Sequence, residues 1–174
     1  MINNYKKEFQ LFFEDSQIVD NIITSVDLIK YKTNKRIFFI GNGGSNSICS
    51  HMMEDFAKIL RIPTFTFSDP ALITCFSNDY GYENAIKEWL SIHLNYDDIL
   101  IAISSSGESK NIINATLYAK DINIKIITLT GFEKNNTLSK LGDINFNLNS
   151  TSYGIVECFH QTILHIILDT LIDK

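Results

Sequence analysis

Two histidines and two carboxylates, set at helical spacing in two separate segments, are the side chains of this sequence best placed to do chemistry. In "GNGGSNSICSHMMEDF", residues 41–56, His51 and Asp55 stand four positions apart, so on a helix they share one face, about one turn from each other. Glu54 is roughly 60° away, on the far side of His51. In "VECFHQTILHIIL", residues 156–168, Glu157, Gln161 and His165 recur every four positions and form one polar file, while His160 is rotated from His165 by more than a third of a turn. A polar file through an apolar helix costs stability unless its groups are satisfied. A buried hydrogen-bond network or a subunit interface would satisfy it. So would a joint site: His51, Asp55, Glu157 and His165 together supply two imidazoles and two carboxylates, a workable ligand set for Zn or a similar divalent ion, or an acid/base set. Spacing alone leaves open whether the two helices meet.

Two small-residue turns offer a second kind of chemistry. "GNGGS", Gly41 to Ser45, follows "RIFFI", and "SSSGES", Ser104 to Ser109, follows "ILIAI". Each joins an apolar strand pattern to a helical one, and a helix N-terminus presents unpaired N–H groups and the positive end of a dipole. An anion can sit at such a turn without any Lys or Arg. Gly43 and Gly44 allow close backbone approach, and Ser104, Ser105, Ser106 and Ser109 add hydroxyls. The first turn fails the dinucleotide pattern, which would need glycine at Asn46, and it lacks the Lys-Ser/Thr ending of a P-loop. A third turn, "SNDYGYE" from Ser77 to Glu83, brings polar Asn78 and Asp79 after a short helical segment beginning "SDPALITCF"; taken alone it reads as a helix cap or Asx turn.

The elements that must position these groups alternate. Short β-branched and aromatic runs, Arg36 to Ile40, Thr64 to Phe67, Ile99 to Ile103, Ile124 to Thr130 and Ile144 to Leu148, predict five strands. Several are apolar at consecutive positions, as strands covered on both faces are. Helical patterns lie between them near Ser45 to Leu60, Tyr82 to Leu94 and Lys110 to Lys120, and a last one runs from Tyr153 to Ile172. Alternation of this kind means right-handed crossovers and a parallel sheet between two helical layers. Ligands then sit outside the carboxyl ends of the strands, where both small-residue turns fall. Before the first strand, Phe9, Phe12, Val19, Ile22, Ile23, Val26 and Ile29 recur at three- and four-residue steps from Tyr5 to about Lys30, which predicts one amphipathic helix. Its stripe packs either on its own domain or on a second subunit.

Composition narrows the function classes. At 174 residues, with 45% hydrophobic and 20% charged residues, 8 Gly and 2 Pro, one domain spanning residues 1–174 is expected, burying roughly 70% of the surface its unfolded chain exposes. The net charge of -5 and the scattering of basic residues in pairs no longer than Lys6-Lys7 and Lys35-Arg36 argue against nucleic acid or an anionic membrane as partner. Three cysteines, without C-x-x-C spacing, point to reduced thiols and a cytosolic location. The N-terminal residues lack an apolar run of signal-peptide length and no stretch approaches the ~20 apolar residues of a membrane span, so a soluble, intracellular protein is expected.

Taken in order, "GNGGS…H…D", "SDPALITCFSNDYGYE", "ISSSGES" and the terminal "E…HQTILHIIL" resemble the bacterial sedoheptulose-7-phosphate (phosphoheptose) isomerases of the sugar isomerase (SIS) domain superfamily, from about Ile37 to Leu171. The resemblance implies a three-layer αβα sandwich on a five-stranded parallel sheet, flavodoxin-like, with an added N-terminal helix, assembled as a homotetramer. It implies an aldose–ketose isomerase whose partner is a small-molecule sugar phosphate, sedoheptulose 7-phosphate first, and whose cofactor is Zn, the alternatives being an isomerase of a different sugar phosphate or a non-catalytic SIS module that binds a sugar phosphate. It places Asn42, Gly43, Gly44, Ser45, Asn78, Asp79, Ser104, Ser105, Ser106, Ser109 and Glu157 at substrate-binding positions, the serine turn holding the phosphate. His51, Asp55, Glu157 and His165 fall at metal positions, Asp55 and His165 also at catalytic ones, with Glu54 the substitute base if the helix register differs. Asp55 stands where the family has glutamate, and Glu157 where it has glutamine. Aspartate is one methylene shorter, and a base must come within about 3 Å of the proton it takes, so the replacement bears on catalysis more than on metal binding, for which both residues keep an oxygen ligand.

Overall fold

The consecutive apolar residues of the strands divide between two cores. In the computed structural model, which describes residues 2–31 and 35–172, β1 (Ile37–Ile40) sends Ile37 and Phe39 into one hydrophobic cluster and Phe38 and Ile40 into another. β3 (Ile99–Ser104) divides in the same way, with Ile99, Ile101 and Ile103 on one face and Leu100 and Ala102 on the other. Side chains alternate faces along a strand, so only a strand covered on both sides reads as an unbroken apolar run. With β2 (Thr64–Thr66), β4 (Lys125–Gly131) and β5 (Ile144–Leu148), these strands form one all-parallel sheet in the order β2-β1-β3-β4-β5. The order reverses between β1 and β3, and the two small-residue turns follow those two strands.

One face is covered by α1 (Ile2–Glu14), α2 (Ser16–Tyr31), α3 (Gly44–Leu60) and α7 (Tyr153–Ile172), whose Phe12, Val26, Met52, Phe56, Phe159 and Ile163 pack together on the sheet. The other is covered by α4 (Pro70–Tyr80), α5 (Tyr82–His93) and α6 (Lys110–Asp121), centred on Trp89, Leu90, Ile112 and Ala115. A short 3-10 turn, Leu138–Lys140, precedes β5. The α/β three-layer architecture is the one expected from the sequence. Beyond the second helical layer the sheet closes with polar pairs: the Thr128 hydroxyl donates to Asn145 Oδ1 at 2.8 Å, and the Asn147 amide donates to Thr130 Oγ1 at 3.0 Å.

The N-terminal segment departs from the single helix expected. It is two helices broken at Asp15, whose carboxylate accepts from the Gln17 N–H at 2.9 Å while its carbonyl accepts from Ile18. Asp and Ser favour caps over helix interiors, because their side chains offer backbone groups an alternative partner. The break resets the helical phase. Ile18, Val26 and Ile29 are buried, whereas Val19 and Ile23 are 48% and 54% exposed, alongside exposed Leu11 and Phe13. In α4, Asp69 caps Ala71 and Leu72, with Pro70 at the first helical position. That helix runs on through Asn78 and Asp79, so the break expected at Ser77 to Glu83 reduces to Gly81, with φ +78.

α7 alone among the described residues is long and apolar enough to cross a membrane by length and composition, contrary to the sequence expectation. It is also the central helix of the first core, burying Ile155, Val156, Phe159, His160, Ile163, Leu164, Ile167 and Leu168.

Candidate functional site

The turn after β1 is built for close approach. Gly41 lies so near Ser45 that a Cβ there would meet its backbone at 2.8 Å, and Gly43 has φ +53, a conformation L side chains rarely adopt. No side chain caps the start of α3, and an uncapped helix N-terminus can receive an anion. A Cβ at Gly44 would run into the Glu157 carboxylate. Glycine at that position is what lets the two helices bring this carboxylate over the turn.

The turn after β3 holds itself together through its hydroxyls. Ser104 Oγ donates to Ser109 Oγ at 3.2 Å and accepts the Gly107 N–H at 3.2 Å, while Ser106 Oγ accepts the Glu108 N–H at 3.2 Å. Gly107, at φ +68, leaves the space that the buried Asn136 amide fills. Behind the turn, the Leu138 N–H donates to the Gly107 carbonyl at 3.0 Å, and Thr137 donates through its N–H and its hydroxyl to the two oxygens of Glu108, at 2.7 and 2.8 Å. The serine turn is thus braced from below by residues 136–138, which the sequence reading passed over.

Both turns open on one cavity of about 260 Å³, lined by Asn42, Gly43, Gly44, Ser45, Ser104, Ser105, Ser106 and Ser109, with Tyr153 and Glu157 from α7. Nine of the eleven substrate-binding residues expected from the sequence therefore share one space. Asn78 and Asp79 do not join them: they are exposed on the last turn of α4, where the Asn78 amide donates to Asp79 Oδ1 at 2.9 Å. A second, smaller cavity of about 140 Å³ adjoins through Asn42 and Gly43 and is otherwise mainly apolar, with Phe67, Ile73 and Ile86 in its wall. Between the two cavities Asn42 and buried Asn111 form a reciprocal amide pair, at 2.8 and 2.9 Å, and the Tyr82 hydroxyl donates to Asn42 Oδ1 at 3.0 Å. The pair ties the β1 turn to the first turn of α6. Asn111 carried a signal in the sequence, since it is in helical phase with buried Ala115 and Ala119.

The helices α3 and α7 do meet, and the histidine cluster forms where they do. His51 Nε2 lies 3.2 Å from Asp55 Oδ2, and the His51 and His165 rings are 5.3 Å apart, edge to face. The Gln161 amide nitrogen lies 2.8 Å from His165 Nε2 and 2.9 Å from Met52 Sδ. One donor atom from each of His51, Asp55 and His165 lies within 4.8 Å of the others, with His51 exposed and the other two part-buried. Two imidazole nitrogens and one carboxylate oxygen are a donor set that suits zinc. Helical phase selects Asp55 over Glu54, which is exposed.

Two other members of the polar set part company with the cluster. Glu157 is not in the three-residue group; it belongs to the serine-lined cavity. His160 is fully buried and donates from Nε2 to the Thr130 carbonyl at 3.0 Å, with Nδ1 lacking a partner. Burial holds its pKa down to about 4, against the lesser opposing effect of the Thr130 bond. It is a neutral strut between α7 and β4. Burial likewise pushes the Cys49 thiol up, leaving it inert on the buried face of α3.

A parallel αβα sandwich with serine- and glycine-lined turns at its switch point is the architecture of the SIS domain, and the SIS domain family model matches residues 5–131. The phosphoheptose isomerase of Buchnera aphidicola subsp. Acyrthosiphon pisum is 32% identical over 176 residues, covering 95% of this chain and 90% of that protein. Among solved structures, the phosphoheptose isomerase of Francisella tularensis superposes with a TM-score of 0.82 at 26% identity, covering 99% of this chain and 97% of that one. That of Neisseria gonorrhoeae superposes at 0.92 over 99% and 95%, with 20% identity, a likeness of fold. The chain belongs to the phosphoheptose isomerase family of SIS-domain proteins.

Proposed function

We propose that the protein is an aldose–ketose isomerase of a phosphorylated sugar, converting sedoheptulose 7-phosphate to D-glycero-D-manno-heptose 7-phosphate through an enediol. The observation that carries the proposal is the single cavity shared by two anion-accepting turns and the α7 carboxylate, beside a histidine cluster on the same two helices. The names of the relatives support the same reading. The serine turn anchors the phosphate, and the Asn42–Ser45 turn binds along the sugar. Asn78 and Asp79, which do not line this cavity within the chain, would contribute from a neighbouring subunit of a homotetramer, whose contacts would also cover Leu11, Phe13, Val19 and Ile23.

Proton transfer at oxygen falls to His165, whose Nε2 lies 2.8 Å from the Gln161 amide. Transfer between C1 and C2 needs a carboxylate, and the site offers two, Asp55 and Glu157. His51, Asp55 and His165 would hold a zinc ion, which when bound supplies polarisation of the carbonyl and stabilisation of the enediolate charge. Free Cys49, Cys75 and Cys158 accord with work in a reducing cytoplasm.

The test is incubation of purified protein with sedoheptulose 7-phosphate, with and without zinc, the aldose product being followed by NMR. Turnover supports the proposal. Absence of turnover, with a melting temperature still raised by the sugar phosphate, would make the protein a sugar-phosphate-binding module instead, and faster turnover of pentose or hexose phosphates would assign it another sugar.

A further inference from the structure

Given the isomerase reading, on which this inference rests, we propose that Glu157, not Asp55, is the carboxylate that carries the proton between C1 and C2. Three observations single it out. Glu157 lines the cavity in which the serine turn and the glycine turn meet, while Asp55 lines none of the cavities described. The Asp55 carboxylate is engaged with His51 at 3.2 Å, and its place in the three-donor cluster commits it to the imidazoles. Glu157 sits against Gly44, where any side chain would displace it, so the sequence of α3 keeps a space for this carboxylate.

Position and reach favour the same residue. A carboxylate on α7 facing the start of α3 shares the cavity with the serines, and a sugar anchored there by its phosphate would extend into that same space. Glutamate also has one more methylene than aspartate to bring an oxygen to the carbon-bound hydrogen, and a base must reach within about 3 Å of it.

The step balances without a co-reactant. Glu157 takes a proton from C1 of the ketose, and the C–H bonding pair becomes the C1–C2 double bond as the C2 oxygen gains a proton. The protonated Glu157 then delivers its proton to C2 while the C1 hydroxyl loses its own, leaving the C1 carbonyl of the aldose. His165 gives and takes the oxygen-bound protons. Nothing is oxidised or reduced overall.

The experiment follows deuterium. In D2O, wild-type protein should place deuterium at C2 of the aldose and wash it into C1 of the remaining ketose, both read by NMR. Glu157→Gln, which keeps the side-chain length and removes the base, should lower turnover and wash-in together by about 10²–10⁴-fold. Its zinc content, measured by mass spectrometry, and the melting-temperature rise given by sedoheptulose 7-phosphate should both stay close to wild type. Glu157→Asp, with the base withdrawn by one methylene, should fall between the two. Wash-in by Glu157→Gln within tenfold of wild type would overturn the assignment. So would loss of its bound zinc, which would make Glu157 a ligand, or loss of the substrate-induced melting shift, which would make it a binding or folding residue. A wild-type protein that neither turns over nor exchanges would strike the isomerase reading itself, an outcome distinct from an active wild type with an active Gln variant.

Discussion

Acid should loosen α7 through His160. The imidazole is fully buried, its Nε2–H is held by Thr130, and protonation would place a second N–H at Nδ1, where no acceptor lies. Burial lowers its pKa from 6.5 to about 4, so between those values the unfolded chain binds a proton that the folded chain refuses. Stability therefore rises with pH through this window. The contribution of the neutral imidazole is fully present above about pH 6.5 and is lost as the pH falls. One pKa unit is worth about 1.4 kcal/mol, which caps the loss at about 3 kcal/mol below pH 4, and linkage puts about 2 kcal/mol of it between pH 7 and pH 5. That is a large share of the 5–15 kcal/mol typical of a domain. The assay is urea unfolding at pH 7, 6 and 5 of wild type and His160→Gln, whose amide can still donate to Thr130 but cannot titrate. Whatever its stability at pH 7, the variant should show a pH slope flatter by about 2 kcal/mol over that range. Equal slopes would refute the reasoning, because the proton would then be taken up elsewhere.

Four further outcomes follow from the glycines and the histidine cluster. Gly44→Ala should change stability by no more than about 1 kcal/mol, since a gain in helix propensity opposes the displacement of Glu157, yet lower kcat by about 100-fold; unfolding curves beside steady-state kinetics check both. Gly107→Ala meets φ +68 and the Asn136 amide at once, and should cost at least about 2 kcal/mol in chemical unfolding. Chelation should strip zinc and lower activity, with recovery on zinc addition, and His51→Ala should bind zinc more weakly by calorimetry because one of three donors is gone.

Much of this arrangement was legible in the residues, for physical reasons that also mark the limits. Strand runs such as "IFFI" and "INFNL" and the helix Tyr153–Ile172 stand where the pattern places them, because a two-sided core leaves its period in the sequence. The pairing of His51 with Asp55 is a local helical fact. Contacts between elements were not legible in that way. That α3 and α7 meet, so that His165 joins His51 while Glu157 swings over Gly44 to the other cavity, depends on tertiary packing. The Asn42–Asn111 pair and the Asn136 brace join residues 69 and 29 positions apart, respectively, counting the brace by its neighbouring Thr137–Glu108 bond. The break at Asp15 was written in the sequence as Asp-Ser within a helical stripe, and its cap outweighs the continuing apolar period.

The most direct measurement of the central claim is a proton NMR time course of the zinc-supplied protein with sedoheptulose 7-phosphate, run beside unphosphorylated sedoheptulose. Aldose resonances should grow to equilibrium from the phosphorylated sugar and remain absent from the other, because the serine turn must hold a phosphate to bring C1 and C2 to the carboxylate. Conversion of neither sugar, or of both at equal rates, would contradict it.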